Sequence, residues 1–538
     1  MKKNFLFILV FLIMGMAWGQ SPVVKTAVVV GQTAKGINNF NKSIEQSLNK
    51  LKNQSSYVAA SKVPIIATPT STSTPTPLSV RLSSNLPKVP TFTLAPQPLL
   101  PCLKDRHYDF DKIVMLNRFL SYVRIESQAV EVDEPDSFPL TDGQKHIAQF
   151  IHDELKEICK GTKIEIKMSP DYYIYAKVPS NVKNKIPSVM FMAHMDIAPA
   201  RDGKGEGINP QIHPNYDGKD ITLGNGLVLS PNNPEGYHLK DLKGKTIITT
   251  DGTTLLGADC KTGCAILVTL IEQMVNDKKF KHGDVYFCFG QNEEIGKIQD
   301  RFDLNYFDKI PDILFDVDGG DYGEFSKSNF TAEMCSYYFK GNQVHPSHAK
   351  EYKFADARTA MAYFIGQIPP EMHPTNSEGL QGYIQCYMMD IQLPDANNSH
   401  DARIGFRIRY FDKADGEFFH SELDKAYKKT KEAFPFVEIT IESDNRFYDN
   451  IAYTMHPKSI EVIEKAAEKT DGIQMVGTDL RAGTTSALMV AKGLPGGHCI
   501  YSGQQAEHSV YEWCCLEEMM DIVRLTKNIV IEVSKLDK

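Results

Sequence analysis

The sequence predicts an α/β fold with a mostly parallel central sheet and a smaller inserted α+β part. Residues 189–193, 285–289 and 313–317 are almost continuously apolar, which is typical of parallel strands buried on both faces. Segments at 111–124, 143–159 and 261–276 have the spacing of amphipathic helices. The alternation of such helices with buried strands indicates the α/β class.

Length and composition limit the overall organisation. The 538 residues are too many for one ordinary hydrophobic core, so two folded parts and some non-globular sequence are expected. Hydrophobic residues make up 42% and charged residues 23%, as in ordinary globular proteins. A formal net charge of -8 offers no basic surface for nucleic acid, so no nucleic-acid partner is predicted.

Residues 1–19 have the pattern of a signal peptide. Lys2 and Lys3 precede an apolar run at 5–16, and A-W-G at 17–19 is a small-x-small cleavage pattern. The run is short for a membrane span, so we expect export to the periplasm or the extracellular space. No stable membrane insertion is expected after the leader is removed. A retained N-terminal anchor is the alternative.

Residues 20–103 are predicted to form an N-terminal extension with a linker rich in Pro, Thr and Ser. Its composition is clearest at 68–77, where the sequence reads TPTSTSTPTP. Such a segment buries too little apolar surface to fold, and its prolines keep it extended.

The ten cysteines of the chain are scattered and include no C-x-x-C pair. Cys514 and Cys515 are adjacent, a spacing that gives poor disulfide geometry. Most cysteines are therefore expected to be buried thiols, and one or two disulfides are left open for an exported protein.

Histidine and carboxylate side chains follow the apolar runs where the predicted strands end. His194 and Asp196 come after the first run and share one face of an extended segment, so the acid can fix the tautomer of a metal-binding histidine. Asp316 and Asp318 come at the end of the third run. Ligands of open parallel sheets bind at the carboxyl ends of the strands. Taken alone, an H-x-D triplet is a weak indication of a metal site.

Three more segments add candidate ligands. Asp259 lies in a glycine-bounded turn before a helix, where it could bridge two cations or cap the helix. Glu293 and Glu294 follow the second run, where one could bind a cation and the other act as a base, or both could be solvated charges. His508 precedes the last helix, and a lone histidine is more often structural. Together these N and O donors suffice for two divalent cations.

At these segments the chain resembles the peptidase T family of tripeptide aminopeptidases, within the di-zinc family that also contains carboxypeptidases and aminoacylases. The resemblance extends from about residue 108 to the C-terminus. Beyond the metal motifs it rests on NPQI at 209–212, LSP at 229–231, TTDG at 249–252, GNQVHP at 341–346, IRYFD at 408–412 and LRAGT at 480–484.

The resemblance implies two divalent metal ions as cofactors. Zinc is expected, while manganese and cobalt suit the same N and O ligands. Asp259 would bridge the ions, and the peptide bond between Asp259 and Cys260 is expected to be cis. The implied ligands are His194, Asp259 and Asp318 for one ion, and Asp259, Glu294 and His508 for the other.

The resemblance also implies how a short peptide substrate is bound and cut. Glu293 would act as the general base on a water molecule whose pKa the ions lower. Asp196 would orient His194, and His345 would stabilise the oxyanion from the lid. The arginines would grip the terminal carboxylate of the peptide, although either could instead form a structural ion pair. The implied substrate-binding residues are Arg409, Arg481 and Asn342.

The predicted architecture is a di-zinc exopeptidase-like catalytic domain with an inserted lid. The catalytic domain takes residues 104–328 and 442–538, and the α+β lid takes 329–441. Strand signals at 334–339 and 404–410 and a helix signal at 418–433 belong to the lid. Closure of the lid over the substrate would exclude water. A homodimer is left open as the assembly.

The predicted function is removal of the N-terminal residue from short peptides, with tripeptides expected first. The alternatives are a dipeptidase, carboxypeptidase or N-deacylase of the same superfamily, and a non-catalytic binding protein that retains the fold. Three departures from the family bear on the substrate. Cys260 replaces a second aspartate, G-Q-N at 290–292 replaces T-P-D, and Thr485 replaces an aspartate.

Overall fold

The computed structural model describes residues 110–131, 137–199, 207–277, 279–342, 344–391 and 400–536. The predicted signal peptide and the extension at 20–103 lie outside the described residues. Strands are numbered in chain order. They are β1 (Glu165–Met168), β2 (Ile174–Val178), β3 (Val189–His194), β4 (Gln211–His213), β5 (Ile221–Thr222), β6 (Val228–Leu229), β7 (Ile247–Thr249), β8 (Val285–Gly290), β9 (Ile313–Val317), β10 (Glu324–Asn329), β11 (Thr331–Lys340), β12 (Tyr383–Ile391), β13 (Ala402–Tyr410), β14 (Glu438–Tyr448), β15 (Val476–Leu480), β16 (Gly497–Ile500), β17 (Gln504–Gln505) and β18 (Trp513–Cys515).

The helices are numbered in the same way, and short 3₁₀ segments connect several elements. Within the described part of the chain, none of the helices combines the length and apolarity needed to cross a membrane. The α-helices are α1 (Phe110–Val123), α2 (Asp142–Ile158), α3 (Ala258–Asn276), α4 (Ala357–Ile365), α5 (Lys413–Ala433), α6 (Ser459–Ala467), α7 (Thr485–Val490) and α8 (Leu516–Val533). The 3₁₀ segments are Pro234–Asp241, Leu304–Tyr306, Pro346–His348, Pro370–Met372, Pro374–Asn376 and Ile451–Tyr453.

The central sheet has eight strands in the order β1-β2-β8-β3-β9-β16-β10-β15. β8, β3, β9 and β16 run parallel, as do β10 and β15. The apolar runs of the sequence are β3, β8 and β9, and every residue of these three strands is buried. Burial on both faces explains why the runs lack a polar alternation. The predicted α/β class with a mostly parallel sheet is confirmed.

Helices cover both faces of this sheet. On one face α3 packs against β3, α1 and α8, and 14 of its 19 residues are buried. On the other face Met489 of α7 and Leu494 pack against Met190, Met192 and Leu314 of the sheet. The predicted helices at 111–124, 143–159 and 261–276 correspond to α1, α2 and α3. The polar segments noted in the sequence follow the carboxyl ends of β3, β8 and β9.

A second sheet carries the smaller part of the protein. Its four strands have the order β12-β13-β11-β14 and are antiparallel. Met361 and Phe364 of α4 and Phe419 and Leu423 of α5 pack in its core. The strand signals at 334–339 and 404–410 lie in β11 and β13, and α5 contains the predicted helix at 418–433. The lid boundary predicted at 441 falls inside β14, since this strand continues to Tyr448.

Nine cysteines lie among the described residues, and each of them is a free thiol. Seven of the nine are buried, including Cys514 and Cys515. The expectation of buried core thiols fits these positions. Cys102 falls outside the described residues.

His498 in β16 is a buried histidine of the central sheet. Its Nδ1 lies 2.6 Å from the carbonyl oxygen of Ser326, and its ring stacks on Phe315 with centroids 5.7 Å apart. Burial lowers the pKa of His498 to about 4 from its ordinary value of 6.5. The unfolded chain therefore binds a proton near pH 6.5, whereas the folded chain binds it only near pH 4. The contribution of His498 to the free energy of unfolding should be fully present above pH 6.5 and should be lost as the pH falls toward 4.

We expect His498→Phe to remove this part of the pH dependence. The free energy of unfolding of the native protein should fall between pH 6.5 and 4 by up to about 3 kcal/mol more than that of the variant. Urea denaturation at a series of pH values measures the difference. His146→Gln, at an exposed position on α2, is the control and should behave like the native protein. Equal pH dependence of the native protein and His498→Phe would contradict the prediction.

Candidate functional site

The six side chains predicted as metal ligands or general base meet at the carboxyl ends of the parallel strands. His194 ends β3, the glutamate pair follows β8, and Asp318 follows β9. Asp259 comes from the start of α3, and His508 from the segment between β17 and β18. We call these the strand-end cluster, which comprises His194, Asp259, Glu293, Glu294, Asp318 and His508.

His194 is almost fully buried and lies among three carboxylates. Its Nε2 is 3.0 Å from Asp259 Oδ1 and 3.5 Å from Asp318 Oδ2. Glu293 Oε2 is 4.0 Å from the same nitrogen. One imidazole nitrogen and two carboxylates thus converge on one point, with a third carboxylate beside them.

His508 occupies the opposite side of Asp259. Its Nε2 lies 3.2 Å from Asp259 Oδ2 and 2.8 Å from Glu294 Oε2. The two oxygens of Asp259 therefore face different histidines, because Oδ1 faces His194. This is the arrangement that a carboxylate bridging two cations requires.

A non-helical turn at the start of α3 presents Asp259 to the cluster. Gly257 precedes it with φ of +75°, in the left-handed region that glycine adopts without a steric penalty. Asp259 itself has non-helical dihedral angles although it lies within α3, and the Asp259–Cys260 peptide bond is cis, as expected. The backbone here leaves the helical path and points the aspartate toward the strand ends.

Glu512 holds this turn and was missed by the sequence reasoning. Its carboxylate is 1% exposed and accepts hydrogen bonds from the backbone N–H groups of Leu256, Gly257 and Asp259 at 2.6, 2.8 and 2.9 Å. The available signal was a glutamate directly before the apolar strand β18, a position that is costly for an unpaired charge. Glu512 thus fixes the backbone that carries Asp259.

Asp196 supports two parts of the cluster. Its carboxylate accepts the N–H groups of Glu293 and Glu294 at 3.2 and 3.1 Å. His194 Nδ1 lies 3.1 Å from the main-chain oxygen of Asp196 and 3.6 Å from its Oδ1. The main-chain oxygen of Asp196 is the one within hydrogen-bond distance of the ring, so the orienting role of the Asp196 carboxylate toward His194 stays a prediction. Its hold on the backbone of the glutamate pair is a second role that the sequence did not suggest.

The G-Q-N segment before the glutamate pair is anchored to the start of α2. Gln144 Nε2 donates to Asn292 Oδ1 at 2.7 Å, and Gln291 Nε2 donates to the carbonyl of Gln144 at 2.9 Å. Asn292 Nδ2 donates to the carbonyl of Pro139 at 2.9 Å. These buried amides hold the loop that carries the glutamate pair. The residues G-Q-N, which replace T-P-D of the family pattern, therefore have a structural role in this chain.

The cluster shifts the protonation of its members. Burial would raise the pKa of Asp259, but hydrogen bonds with His194 and His508 hold it below its usual range. The hydrogen bonds to Asp259 and Glu294 raise the pKa of His508 to about 11. Burial and the charge of Asp259 raise the pKa of Glu294 to about 8. Burial raises the pKa of Glu293 to about 7. Divalent cations in the cluster would favour the charged carboxylates and the neutral histidines.

The donor atoms fit divalent cations. Nitrogen and oxygen atoms of His194, Asp259 and Glu294 lie within 4.8 Å of one another. Glu294 Oε1 is buried and has no hydrogen-bond partner among the described residues, so one acceptor is left for a cation. Imidazole and carboxylate donors suit zinc, manganese and cobalt. The ligand set can therefore hold the two ions that the resemblance implies.

Cys260 is close to the cluster but serves a different purpose. Its Sγ could join His194 and Asp318 as a ligand by distance. However, the thiol donates to the carbonyl of Val317 at 2.9 Å, and burial raises its pKa well above the usual value. A protonated thiol bonded to a strand carbonyl is a packing group of the core.

The predicted lid residues His345 and Asn342 lie on the loop after β11. His345 is exposed and its Nδ1 accepts the N–H of Ser347, which caps the short 3₁₀ segment. Both ends of the Asn342 amide are hydrogen-bonded to the backbone, since Oδ1 accepts from Ala355 N at 2.8 Å and Nδ2 donates to Lys353 O at 3.2 Å. Within the described residues neither side chain contacts the strand-end cluster, so their roles toward the substrate stay predictions.

The two arginines predicted to grip the substrate carboxylate are bonded to main-chain carbonyls. Arg409 donates to the carbonyls of Glu333 and Ile408 at 3.1 and 2.9 Å. Arg481 donates to the carbonyls of Gly379 and Gln381 at 2.8 and 2.9 Å, and its guanidinium lies over the ring of Phe330. Arg481 thereby ties the end of β15 to the smaller part of the protein. The carboxylate-binding role of both arginines stays a prediction.

Comparisons with known proteins extend this picture. Residues 256–532 match the model of peptidase family M20/M25/M40. A relative from Clostridium perfringens named peptidase T is 35% identical over 416 residues, which cover 77% of this chain and 97% of the relative. A peptidase T from Listeria innocua is 34% identical over 426 residues, with 78% and 98% covered.

Solved structures share the fold. The crystal structure of aminopeptidase PepT from Bacillus cereus aligns with a TM-score of 0.59 at 19% identity and covers 79% of this chain and 99% of that one. A dinuclear metal-binding peptidase of family M20 from Bacillus subtilis aligns with a TM-score of 0.54 at 12% identity, with 79% and 99% covered. With the family match and the identity to the peptidase T relatives, the chain belongs to peptidase family M20/M25/M40, as a peptidase T-like member.

Proposed function

We propose that this chain is a metal-dependent aminopeptidase that removes the N-terminal residue from short peptides, with tripeptides as the first substrates. The observation that carries the proposal is the position of Asp259 between His194 and His508, with Glu293 at the same centre. Relatives named peptidase T, 34 to 35% identical over most of their length, support the choice of reaction.

The strand-end cluster borders a cavity of about 660 Å³, which a short peptide could enter. We propose zinc as the metal, held by His194, Asp259 and Asp318 at one position and by Asp259, Glu294 and His508 at the other. When bound, such ions polarise a water molecule and the peptide carbonyl. Asp196 accepts the backbone N–H of Glu294, and Glu512 accepts that of Asp259, so both acids hold the backbone of a proposed ligand in place.

Glu293 is the group that moves the proton. Its carboxylate belongs to the cavity wall and lies 4.0 Å from His194 Nε2, but it is not among the proposed metal ligands. It takes a proton from the attacking water and passes this proton to the leaving amine. Gln is the informative replacement, because it keeps the shape of Glu293 and cannot accept the proton.

The experiment that tests the function is a peptide screen with matched free and blocked N-termini. Dipeptides, tripeptides and longer peptides are assayed with protein reconstituted with zinc, manganese or cobalt, and bound metal is counted in parallel. We expect turnover of short peptides with free N-termini and two metal equivalents per chain. Cleavage of blocked peptides alone would favour an N-deacylase or carboxypeptidase. Absence of turnover with all three metals would favour a binding protein, and fewer than two equivalents would contradict the bridged site.

We also propose that the protein is exported through the leader at 1–19 and acts outside the cytoplasm. Fractionation of cells followed by N-terminal sequencing tests this, and we expect a mature chain in the exported fraction that begins after residue 19. An uncleaved chain confined to the cytoplasm would contradict export. The assembly is left open between a monomer and a homodimer, and light scattering of the purified protein distinguishes the two.

A further inference from the structure

The carboxylate of Glu293 receives a hydrogen bond from one side chain of the described residues, Thr485. The Thr485 hydroxyl donates to Glu293 Oε1 at 2.8 Å. Thr485 is 3% exposed and is the first residue of α7, on the face of the sheet opposite α3. The contact joins two residues 192 positions apart in the sequence, and it is partly buried, because Thr485 is enclosed whereas the Glu293 side chain is 23% exposed.

The hydroxyl of Thr485 is not needed for the helix it begins. Thr484 is the N-cap of α7, and its Oγ1 accepts the N–H of Ala487 at 3.2 Å. Thr485 therefore contributes no capping bond, and its hydroxyl is directed to Glu293. Thr484 thus caps the helix, and its neighbour Thr485 contacts Glu293.

A buried carboxylate lies on the other side of Thr485. Asp316 of β9 is 2% exposed, and its Oδ2 has no hydrogen-bond partner among the described residues. Asp316, Thr485 and Glu293 line a common cavity of about 210 Å³. The Thr485 hydroxyl has one proton, and this proton is donated to Glu293 Oε1, so the hydroxyl has one acceptor in this arrangement.

The main chain of Glu293 is fixed by Asp196, but its side chain has further rotatable bonds. A general base must hold its carboxylate within hydrogen-bond reach of the proton that it abstracts. The contact with Thr485 fixes one carboxylate oxygen and leaves the other, Oε2, turned toward the cluster, 4.0 Å from His194 Nε2. One oxygen is anchored and the other is available to the water molecule.

We propose that Thr485 is a positioning residue that orients the Glu293 carboxylate for proton abstraction. The inference rests on the proposed function of Glu293 as the base. The family pattern has an aspartate at this position, so the hydroxyl donor is a property of this chain. A charged aspartate would be an acceptor and could not make the bond that Thr485 makes.

The test compares Thr485→Val with Thr485→Ser in steady-state assays on a short peptide with a free N-terminus. Val keeps the shape and removes the hydroxyl, so kcat should fall about 10- to 100-fold while KM and bound metal stay unchanged. Ser restores the donor and should return kcat to within about threefold of the native value. Thr484→Val is the matched control, which should lower the melting temperature and leave kcat unchanged.

A readout that does not need turnover separates this inference from the proposed function. In crystal structures of the metal-free proteins, the Glu293 carboxylate should occupy one position in the native protein and in Thr485→Ser, and several positions in Thr485→Val. A native protein without peptidase activity would refute the proposed function, while the ordering of Glu293 would still test the contact. Native kcat in Thr485→Val, equal losses in the Val and Ser variants, or a single Glu293 position in the Val variant would overturn the inference.

Discussion

The Glu293→Gln variant is expected to bind two divalent ions and to lose about 10²- to 10⁴-fold in kcat. Glutamine preserves the shape of the side chain and can still accept the hydrogen bond from Thr485. It cannot take a proton from water, so the loss should come from proton transfer alone. KM for a short peptide should change little. Steady-state kinetics with metal analysis of the same preparations checks this result.

A matched control exists in the wall of the same cavity. Glu324 borders the cavity beside the strand-end cluster, but it belongs to β10 and has no part in the cluster. Glu324→Gln removes one negative charge from the cavity and should keep kcat within about threefold of the native value. If Glu293→Gln retained native kcat with two bound ions, Glu293 would not be the base. Equal losses in both variants would point to the charge of the cavity instead.

The centre of the fold could be predicted from sequence because its strands are buried on both faces. β3, β8 and β9 have no polar face, so they stand out as apolar runs with carboxylates or histidine at their ends. The strands at one side of the sheet were not predicted. Their sequences, EFSKSN for β10 and VGTDL for β15, mix polar and apolar residues. β15 is the partly exposed edge strand of the sheet, and β10 lies next to it. Their positions depend on pairing with distant residues, which leaves no local signal.

The candidate ligands could be proposed because their chemistry is visible in the residue type. Each of these histidines and carboxylates has a structural use when it is taken alone, but their combination suits a metal site, and the structure brings all six side chains of the strand-end cluster together. Glu512 and Thr485 could not be assigned in this way. Glu512 acts through hydrogen bonds from three backbone N–H groups, including that of Asp259, and Thr485 acts through its bond to the carboxylate of Glu293. The identity of such a partner is fixed by tertiary structure.

The predicted substrate-binding residues illustrate a different limit. Arginine in a motif is compatible with carboxylate binding and with bonds to main-chain carbonyls, and Arg409 and Arg481 make the latter in this structure. His345 is exposed on the lid with a capping role. A sequence indicates which side chains can bind a peptide, but their distance from the cluster depends on the relative position of lid and sheet.

Replacement of Glu512 should combine a large loss of stability with weakened metal binding. In Glu512→Ala the N–H groups of Leu256, Gly257 and Asp259 lose their acceptor in a buried site. Each unsatisfied donor costs about 1–3 kcal/mol, so the free energy of unfolding should fall by about 3–5 kcal/mol after local relaxation. Cation affinity should fall about 10- to 100-fold, because the turn that presents Asp259 is no longer fixed. Urea denaturation of the metal-free protein and calorimetric titration with zinc measure the two effects separately.

Glu512→Gln separates the charge of this side chain from its shape. The amide oxygen can still accept from Leu256 and Gly257, but the amide nitrogen would then face the N–H of Asp259 and repel it. The metal affinity should therefore fall even where stability is largely retained. Glu517→Gln is the control, because Glu517 also accepts a backbone N–H, that of Thr246 at 2.7 Å, and makes no contact with Asp259. If Glu512→Gln bound two zinc ions as tightly as Glu517→Gln, the position of Asp259 would not depend on Glu512. A loss of zinc affinity in Glu512→Gln but not in Glu517→Gln would mean that the Glu512 carboxylate, as well as the turn itself, sets the position from which Asp259 bridges the two ions.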